Sequence, residues 1–203
     1  MFFLTIYDYS SLVVDTLCDE PGEAGEDNAV ACFYFGSTEQ KEQSAISVLG
    51  ALLKQVVSSL GQIPEEITDA FRRHKKFIGG RDLQLSEIAK MLGSLSSTQR
   101  TFLCLDALDE CAAPDRSMIL LSLRNITEMS PTTSIFLTGR PYVGDEVGKH
   151  FLERIAHVSI SPRTGDITQY IQTKLAEDTA WGEMDINLEE EIVKKIQETS
   201  SEM

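Results

Sequence analysis

Carboxylates follow the most apolar run of this sequence. Phe102–Leu105 lead directly into Asp106, and Asp109 and Glu110 come shortly afterwards. Because a buried strand holds its backbone rigid, a carboxylate at its end has a fixed position and can hold Mg²⁺ beside a triphosphate. Asp109 or Glu110, about one turn further, is then placed to orient or deprotonate an attacking water. An acidic surface loop after a core strand is the alternative interpretation.

A second apolar run, residues 134–138, ends in Thr138 and is followed by Gly139 and the cation Arg140. The distance along the chain from Asp106 to Arg140 fits one helical crossover between neighbouring parallel strands. Thr138 and Arg140 would then approach the same phosphate site from beside Asp106. Taken alone, Arg140 is typical of a solvated loop. The two strand ends together, with opposite charges, favour a nucleoside triphosphatase site.

The elements that must position these residues alternate along the chain. Apolar runs predict strands near 30–35, 102–106, 134–138 and 157–160. Helical periodicity predicts helices over 10–18, 44–60, the segment after Pro64, 85–95, 115–129, 143–152, 166–176 and 187–199. Strands that alternate with helices predict an α/β fold, a three-layer sandwich with a parallel sheet. Ligands of such sheets bind outside the carboxyl ends of the strands.

Composition excludes several classes of function. The chain has 203 residues, of which 42% are hydrophobic and 25% charged, and its net charge is −14. The one dense basic run is Arg72–Lys76, so we expect no nucleic-acid or membrane-surface partner. No pair of the four cysteines has metal-ligand spacing, so we expect no zinc and a cytoplasmic protein with reduced thiols. No stretch approaches the ~20 apolar residues of a membrane span.

The site segments resemble a known family. Phe102–Cys111 resembles the extended Walker B segment of NACHT NTPases, with four hydrophobic residues, an aspartate, a small residue, a hydrophobic residue and two acids. Thr138–Pro141 is similar to the sensor 1 segment of that family. Ala31–Phe35 and the helix Ser44–Leu60 resemble the preceding strand and helix in fungal-type NACHT and nephrocystin-like N-terminal modules. The resemblance covers roughly residues 10–203.

This resemblance implies a P-loop-type fold and a STAND-class signalling ATPase or GTPase. Mg²⁺ and ATP or GTP are the cofactors it implies, with Asp106 on the metal. Asp109 and Glu110 take the catalytic positions, and Thr138 and Arg140 take the nucleotide-binding positions. Protein partners, or self-association through a STAND-type scaffold, are also implied.

The sequence departs from this family at the phosphate-binding loop. A P-loop has the pattern G-x-x-x-x-G-K-[ST], and no such string occurs in the 203 residues. Gly144–His150 is similar, but it has one intervening residue too few and a histidine in place of Ser or Thr. We therefore interpret residues 1–9 as an atypical segment that replaces the P-loop strand. Residues 10–165 are then the NACHT-like core, and 166–203 the truncated start of a helical arm.

These features predict a truncated, non-catalytic regulatory or interaction module that retains Walker B and sensor 1. One alternative is an active ATP or GTP hydrolase whose P-loop comes from a partner, a longer isoform or a corrected gene model. Another is an unrelated Mg²⁺ phosphohydrolase that uses Asp106 and Asp109. The spacing of these two acids, D-x-x-D rather than D-x-D, counts against that last class.

Overall fold

Three parallel strands and flanking helices give this chain an α/β fold. The computed structural model describes residues 6–19, 28–37, 43–65, 67–69, 72, 83–151, 155–158, 164–177, 191–192 and 194–196. The strands are β1 (Ala29–Tyr34), β2 (Thr101–Asp106) and β3 (Thr133–Leu137). The helices are α1 (Ile6–Asp19), α2 (Ala45–Ser58), α3 (Leu85–Ser96), α4 (Ala113–Met129), α5 (Pro141–Phe151) and α6 (Thr164–Glu177), and a 3-10 turn covers Leu108–Glu110.

The sheet has the strand order β1-β2-β3, and both pairings are parallel. All six residues of the central strand β2 are buried. In register, Tyr34 lies opposite Asp106, and Leu105 lies opposite Leu137. The carboxyl ends of the three strands therefore meet at one edge, which places Asp106 beside the residues that follow β3.

The core lies between the sheet and the helices α2, α3 and α4. Leu103 and Leu105 of β2 are fully buried in it, together with the apolar stripe of α2. Helix α2 begins at a cap in which the Ser44 hydroxyl accepts the Ser47 N–H. Because an uncapped first turn leaves backbone donors without partners, this cap fixes where α2 starts.

A side chain closes the outer edge of β1. The backbone N–H of Cys32 donates to Oε1 of Gln55 at 3.0 Å, and Nε2 of Gln55 donates to the Cys32 carbonyl at 2.8 Å. Gln55 thus takes the two main-chain hydrogen bonds that Cys32 would otherwise make to another strand. Exposed strand edges invite pairing with other chains, so this contact protects the sheet.

The three strands near 30–35, 102–106 and 134–138 are confirmed. The strand predicted over 157–160 is wrong for its described part, because His157 and Val158 lie outside the sheet and Val158 is 77% exposed. Two apolar residues in so short a run bury too little surface to secure a place in a sheet. Residues 159–160 lie outside the described residues.

The remaining predicted helices are described to different extents. Helix α1 begins at Ile6, so residues 6–9 are helical, whereas residues 1–5 lie outside the described residues. The strand-replacing role of residues 1–9 stays a prediction. The helices expected after Pro64 and over 187–199 are described only in part, and their described positions are helical between 65 and 72 and between 191 and 196.

The chain forms two compact units, Met1–Ile155 and Ala156–Met203. The first contains the sheet and the segments that resemble Walker B and sensor 1. In the second, α6 carries the buried side chain of Ile171. The predicted limits of the core and the helical arm stay predictions. In the part of the chain that the structure describes, no helix has the length and apolar character needed to cross a membrane.

Candidate functional site

Asp106 ends the central strand and lies at the carboxyl edge of the sheet, where its side chain is only 3% exposed. The hydroxyl of Thr138 donates to its Oδ1 at 2.5 Å. The same hydroxyl accepts the backbone N–H of Ala107 at 2.9 Å. Thr138 therefore holds both the carboxylate and the backbone that follows it, which fixes the orientation of Asp106.

Ala107 turns the chain sharply after β2. Its φ of 56° and ψ of 45° place it in the left-handed region, and no other non-glycine residue in the described ranges has a positive φ. This conformation costs an L-residue about 1–2 kcal/mol. It lets the Leu108 N–H reach the Thr138 carbonyl at 2.9 Å and begins the turn Leu108–Glu110. Backbone strain of this kind is concentrated at functional sites.

Asp109 is bound by the segment that follows β3. Its Oδ1 accepts the backbone N–H of Arg140 at 3.3 Å, and its Oδ2 lies 3.1 Å from Nε of Arg140. The Tyr142 hydroxyl donates to the Asp109 carbonyl at 3.4 Å. The Asp109 side chain is 8% exposed, whereas that of Arg140 is 58% exposed. Arg140 thus contacts a buried carboxylate and also faces solvent.

Glu110 is the more accessible of the two acids in the turn. Its side chain is 21% exposed, and its Oε1 lies 3.9 Å from Nη2 of Arg140. Nε and Nη2 form one edge of the guanidinium, so this edge lies toward Asp109 and Glu110.

The structure brings all five predicted site residues to one edge of the sheet. Asp106 and Thr138 form one contact, and Arg140 contacts Asp109 and Glu110 in a second. Their individual roles stay predictions. The sequence reasoning missed Tyr142, whose hydroxyl bond follows only from its position in the first turn of α5.

The arrangement offers hard oxygen atoms and one cation. The carboxylate of Asp106 and the hydroxyl of Thr138 are ligand types that suit Mg²⁺, which often uses one or two carboxylates together with substrate phosphates. The guanidinium of Arg140 suits a phosphate oxygen. Within the described ranges, no group of three or more His, Cys, Asp or Glu side chains is placed to hold a metal ion without such a substrate.

Residues 9–140 match the family described as nephrocystin 3, N-terminal. The chain belongs to the nephrocystin 3 N-terminal family. The matched range contains the sheet and extends to Arg140, so this nephrocystin-type module includes every predicted site residue. The resemblance to nephrocystin-like N-terminal modules is therefore confirmed. No curated protein and no solved structure matches the chain.

Proposed function

We propose that this nephrocystin 3 N-terminal module contains the Mg²⁺-binding part of a NACHT-type site for ATP or GTP. As the 203-residue chain stands, the module acts as a non-catalytic regulatory or interaction unit. The observation that supports the site is the hydrogen bond between Thr138 and Asp106. It joins the Walker B-like acid to the sensor 1-like hydroxyl at the edge where ligands of parallel sheets bind.

The residues present fit a magnesium nucleotide in part. Asp106, aided by Thr138, would hold Mg²⁺, and Arg140 would contact a phosphate. When bound, Mg²⁺ supplies positive charge that offsets the phosphates. In the part of the chain that the structure describes, Arg140 is the cation in contact with the acids of the site, and Asp109 already pairs with it. These residues therefore suit Mg²⁺ well and suit the phosphates of the nucleotide much less.

The absence of a P-loop string supports the non-catalytic part of the proposal. A P-loop binds phosphates through backbone N–H groups and a lysine, and phosphoryl transfer depends mainly on such positioning and electrostatic stabilisation. The 203 residues contain no G-x-x-x-x-G-K-[ST] pattern. Among the described residues, Arg140 is placed against the acids Asp109 and Glu110, so this part of the site offers little positive charge to offset a triphosphate.

Protein partners, or a second copy of the chain, are the binding targets we propose. The net charge of −14 disfavours an anionic partner such as nucleic acid. Helix α4 exposes three large apolar side chains, Met118, Leu121 and Met129. Exposed apolar side chains of this kind support contact with protein rather than with a polyanion.

Titration with fluorescent ATP and GTP analogues, with and without Mg²⁺, tests the site. We expect weak binding without saturation in the micromolar range, dependence on Mg²⁺, and loss of the signal in Asp106→Asn. Asp145→Asn is the matched control, because Asp145 is an exposed acid of α5 away from the site. Binding that Asp106→Asn leaves unchanged would show that the ligand lies elsewhere.

A working hydrolase is the second candidate function. Glu110 supports it, because this acid lies at the same edge and is 21% exposed, as a residue that activates water must be accessible. Phosphate release from ATP and GTP separates the two candidates. Turnover that is lost in Glu110→Gln, together with saturable sub-micromolar nucleotide binding, would replace the non-catalytic proposal.

A further inference from the structure

The guanidinium of Arg140 already has an anion within the chain. Asp109 accepts the backbone N–H of Arg140 with one carboxylate oxygen and pairs with Nε through the other. Its side chain is 8% exposed, so the carboxylate is largely removed from water. Because Asp109 binds both the main chain and the side chain of Arg140, it holds the arginine in one position.

The surrounding charges make this contact important for any phosphate. Within the described ranges of the chain, Asp109 and Glu110 lie against the positive charge of Arg140, and Asp106 lies at the same edge of the sheet. Carboxylates a few ångströms away repel an incoming phosphate, and near a partly buried site water screens this repulsion only in part. The Nε and Nη2 edge, which suits a planar pair of oxygens, lies toward the carboxylates of Asp109 and Glu110. A phosphate that binds side-on, across Nε and Nη2, needs that edge.

We propose that Asp109 regulates the phosphate site by occupying Arg140, so that a phosphate group that binds side-on across Nε and Nη2 must displace the Asp109 carboxylate from Nε. This inference rests on the proposed function, which supplies the phosphate-bearing ligand. Asp109 is then a positioning residue that keeps the site closed to anions. It is not the base that activates water.

Opening the Asp109–Arg140 pair has a local structural consequence. Helix α5 begins at Pro141, directly after Arg140, and Tyr142 in its first turn is bound to the Asp109 carbonyl. Further along α5, Glu146 is held by Arg116 of α4 at 2.8 Å. Release of Arg140 therefore loosens the first turn of α5, while the rest of the helix stays attached to α4.

Calorimetric titration with magnesium pyrophosphate tests the proposal on the full chain. Asp109→Asn removes the charge that pairs with Nε but keeps an oxygen for the Arg140 N–H. Glu110→Gln is the matched control, because it removes the same charge without touching Nε. We expect Asp109→Asn to bind pyrophosphate about tenfold more tightly than the wild type, and Glu110→Gln less than about threefold more tightly.

Equal gains in the two variants would reduce the effect to general electrostatics and overturn the proposal. Weaker binding in Asp109→Asn would overturn it as well, because Asp109 would then help the anion to bind. Adding Arg140→Gln to Asp109→Asn should abolish the gain.

A measurement on the wild-type chain covers the case in which Asp109→Asn does not fold. The NMR signal of the Arg140 Nε–H should shift as pyrophosphate is added, because its partner changes from carboxylate to phosphate. An unchanged Nε–H signal during saturating binding contradicts the proposal. Turnover together with tight ATP binding by the wild type would contradict the non-catalytic function alone, so the two proposals can fail separately.

Discussion

The hydroxyl of Thr138 lies 2.5 Å from the carboxylate of Asp106, although 32 positions separate the two residues along the chain. Neighbouring parallel strands bring them together, because β2 and β3 end at the same edge of the sheet. The hydroxyl uses its proton for Asp106 and a lone pair for the Ala107 N–H. One side chain therefore joins the two loops that form the candidate site.

Replacing Thr138 by valine tests this junction. Thr138→Val keeps the shape of the side chain but leaves the buried Asp106 carboxylate and the Ala107 N–H without the hydroxyl. We expect a loss of about 1–3 kcal/mol in the free energy of unfolding, measured by urea denaturation. Thr138→Ser retains the hydroxyl and should retain most of the stability. A valine variant as stable as the wild type would show that the two bonds contribute nothing.

The left-handed conformation of Ala107 predicts a second result. Ala107→Val should lower the free energy of unfolding by about 2 kcal/mol or more, because a β-branched side chain is poorly tolerated at positive φ. Ala107→Gly should stay within about 1 kcal/mol of the wild type, since glycine adopts this conformation readily. Ala113→Val, at an exposed helical position, is the control and should change stability little. Thermal unfolding of the three variants distinguishes backbone strain from added bulk.

Removal of the Gln55 amide should weaken β1. Gln55→Leu loses both hydrogen bonds to the Cys32 main chain and opens the strand edge there, so we expect a loss of about 1–3 kcal/mol in stability. Light scattering on heating should also show earlier aggregation, because the edge can then pair with other chains. Lys54→Leu, an exposed neighbour on α2, controls for the added apolar surface. Similar scattering from both variants would contradict the protective role of Gln55.

The buried thiols predict how stability changes in alkali. Burial raises the pKa of Cys104 to about 12 and the pKa of Cys111 to about 11, above the ordinary value of 9.0. The unfolded chain therefore loses these protons first, and stability present below pH 9 falls as the pH rises toward 11 and 12. Urea unfolding between pH 8 and about 10.5 measures the slope. The double variant Cys104→Ala/Cys111→Ala should show a flatter dependence, and an equal slope would exclude the thiols as its cause.

The lowered pKa of Glu146 predicts how the stability of the fold changes at acid pH. Burial is the largest single influence and raises its pKa, but hydrogen bonds from Arg116 and Ser117 outweigh burial and lower the pKa below 4.5. Stability from this carboxylate is present above pH 4.5 and is lost as the pH falls through the lowered pKa. Glu146→Gln should cost about 1–2 kcal/mol near pH 7, and the difference from wild type should vanish in acid. Glu128→Gln breaks an exposed pair with Arg124 and should cost less than about 1 kcal/mol.

The sequence alone determined the features that depend on neighbouring residues. Apolar runs that end in polar residues located the three strands. The same runs placed Asp106, Thr138 and Arg140 at or just after strand ends, because each follows an apolar run directly or closely. Local patterning is informative here because a strand buried on both faces has a continuous apolar run. The same reasoning failed at His157 and Val158, where a short run resembles a strand without the partners that a sheet must provide.

Only the tertiary structure decided which site residues contact each other. The sequence predicts that Asp109 or Glu110 acts on water and that Arg140 contacts phosphate. In the fold, the side chains of Asp109 and Arg140 bind each other. No local pattern specifies that contact, because it depends on the register of β2 against β3 and on the left-handed turn at Ala107. Hydrogen bonds between residues far apart in sequence form only after packing has brought the strands together. For this reason the positions of these residues after the strands could be predicted from the sequence, but the pairing of Asp109 with Arg140 could not.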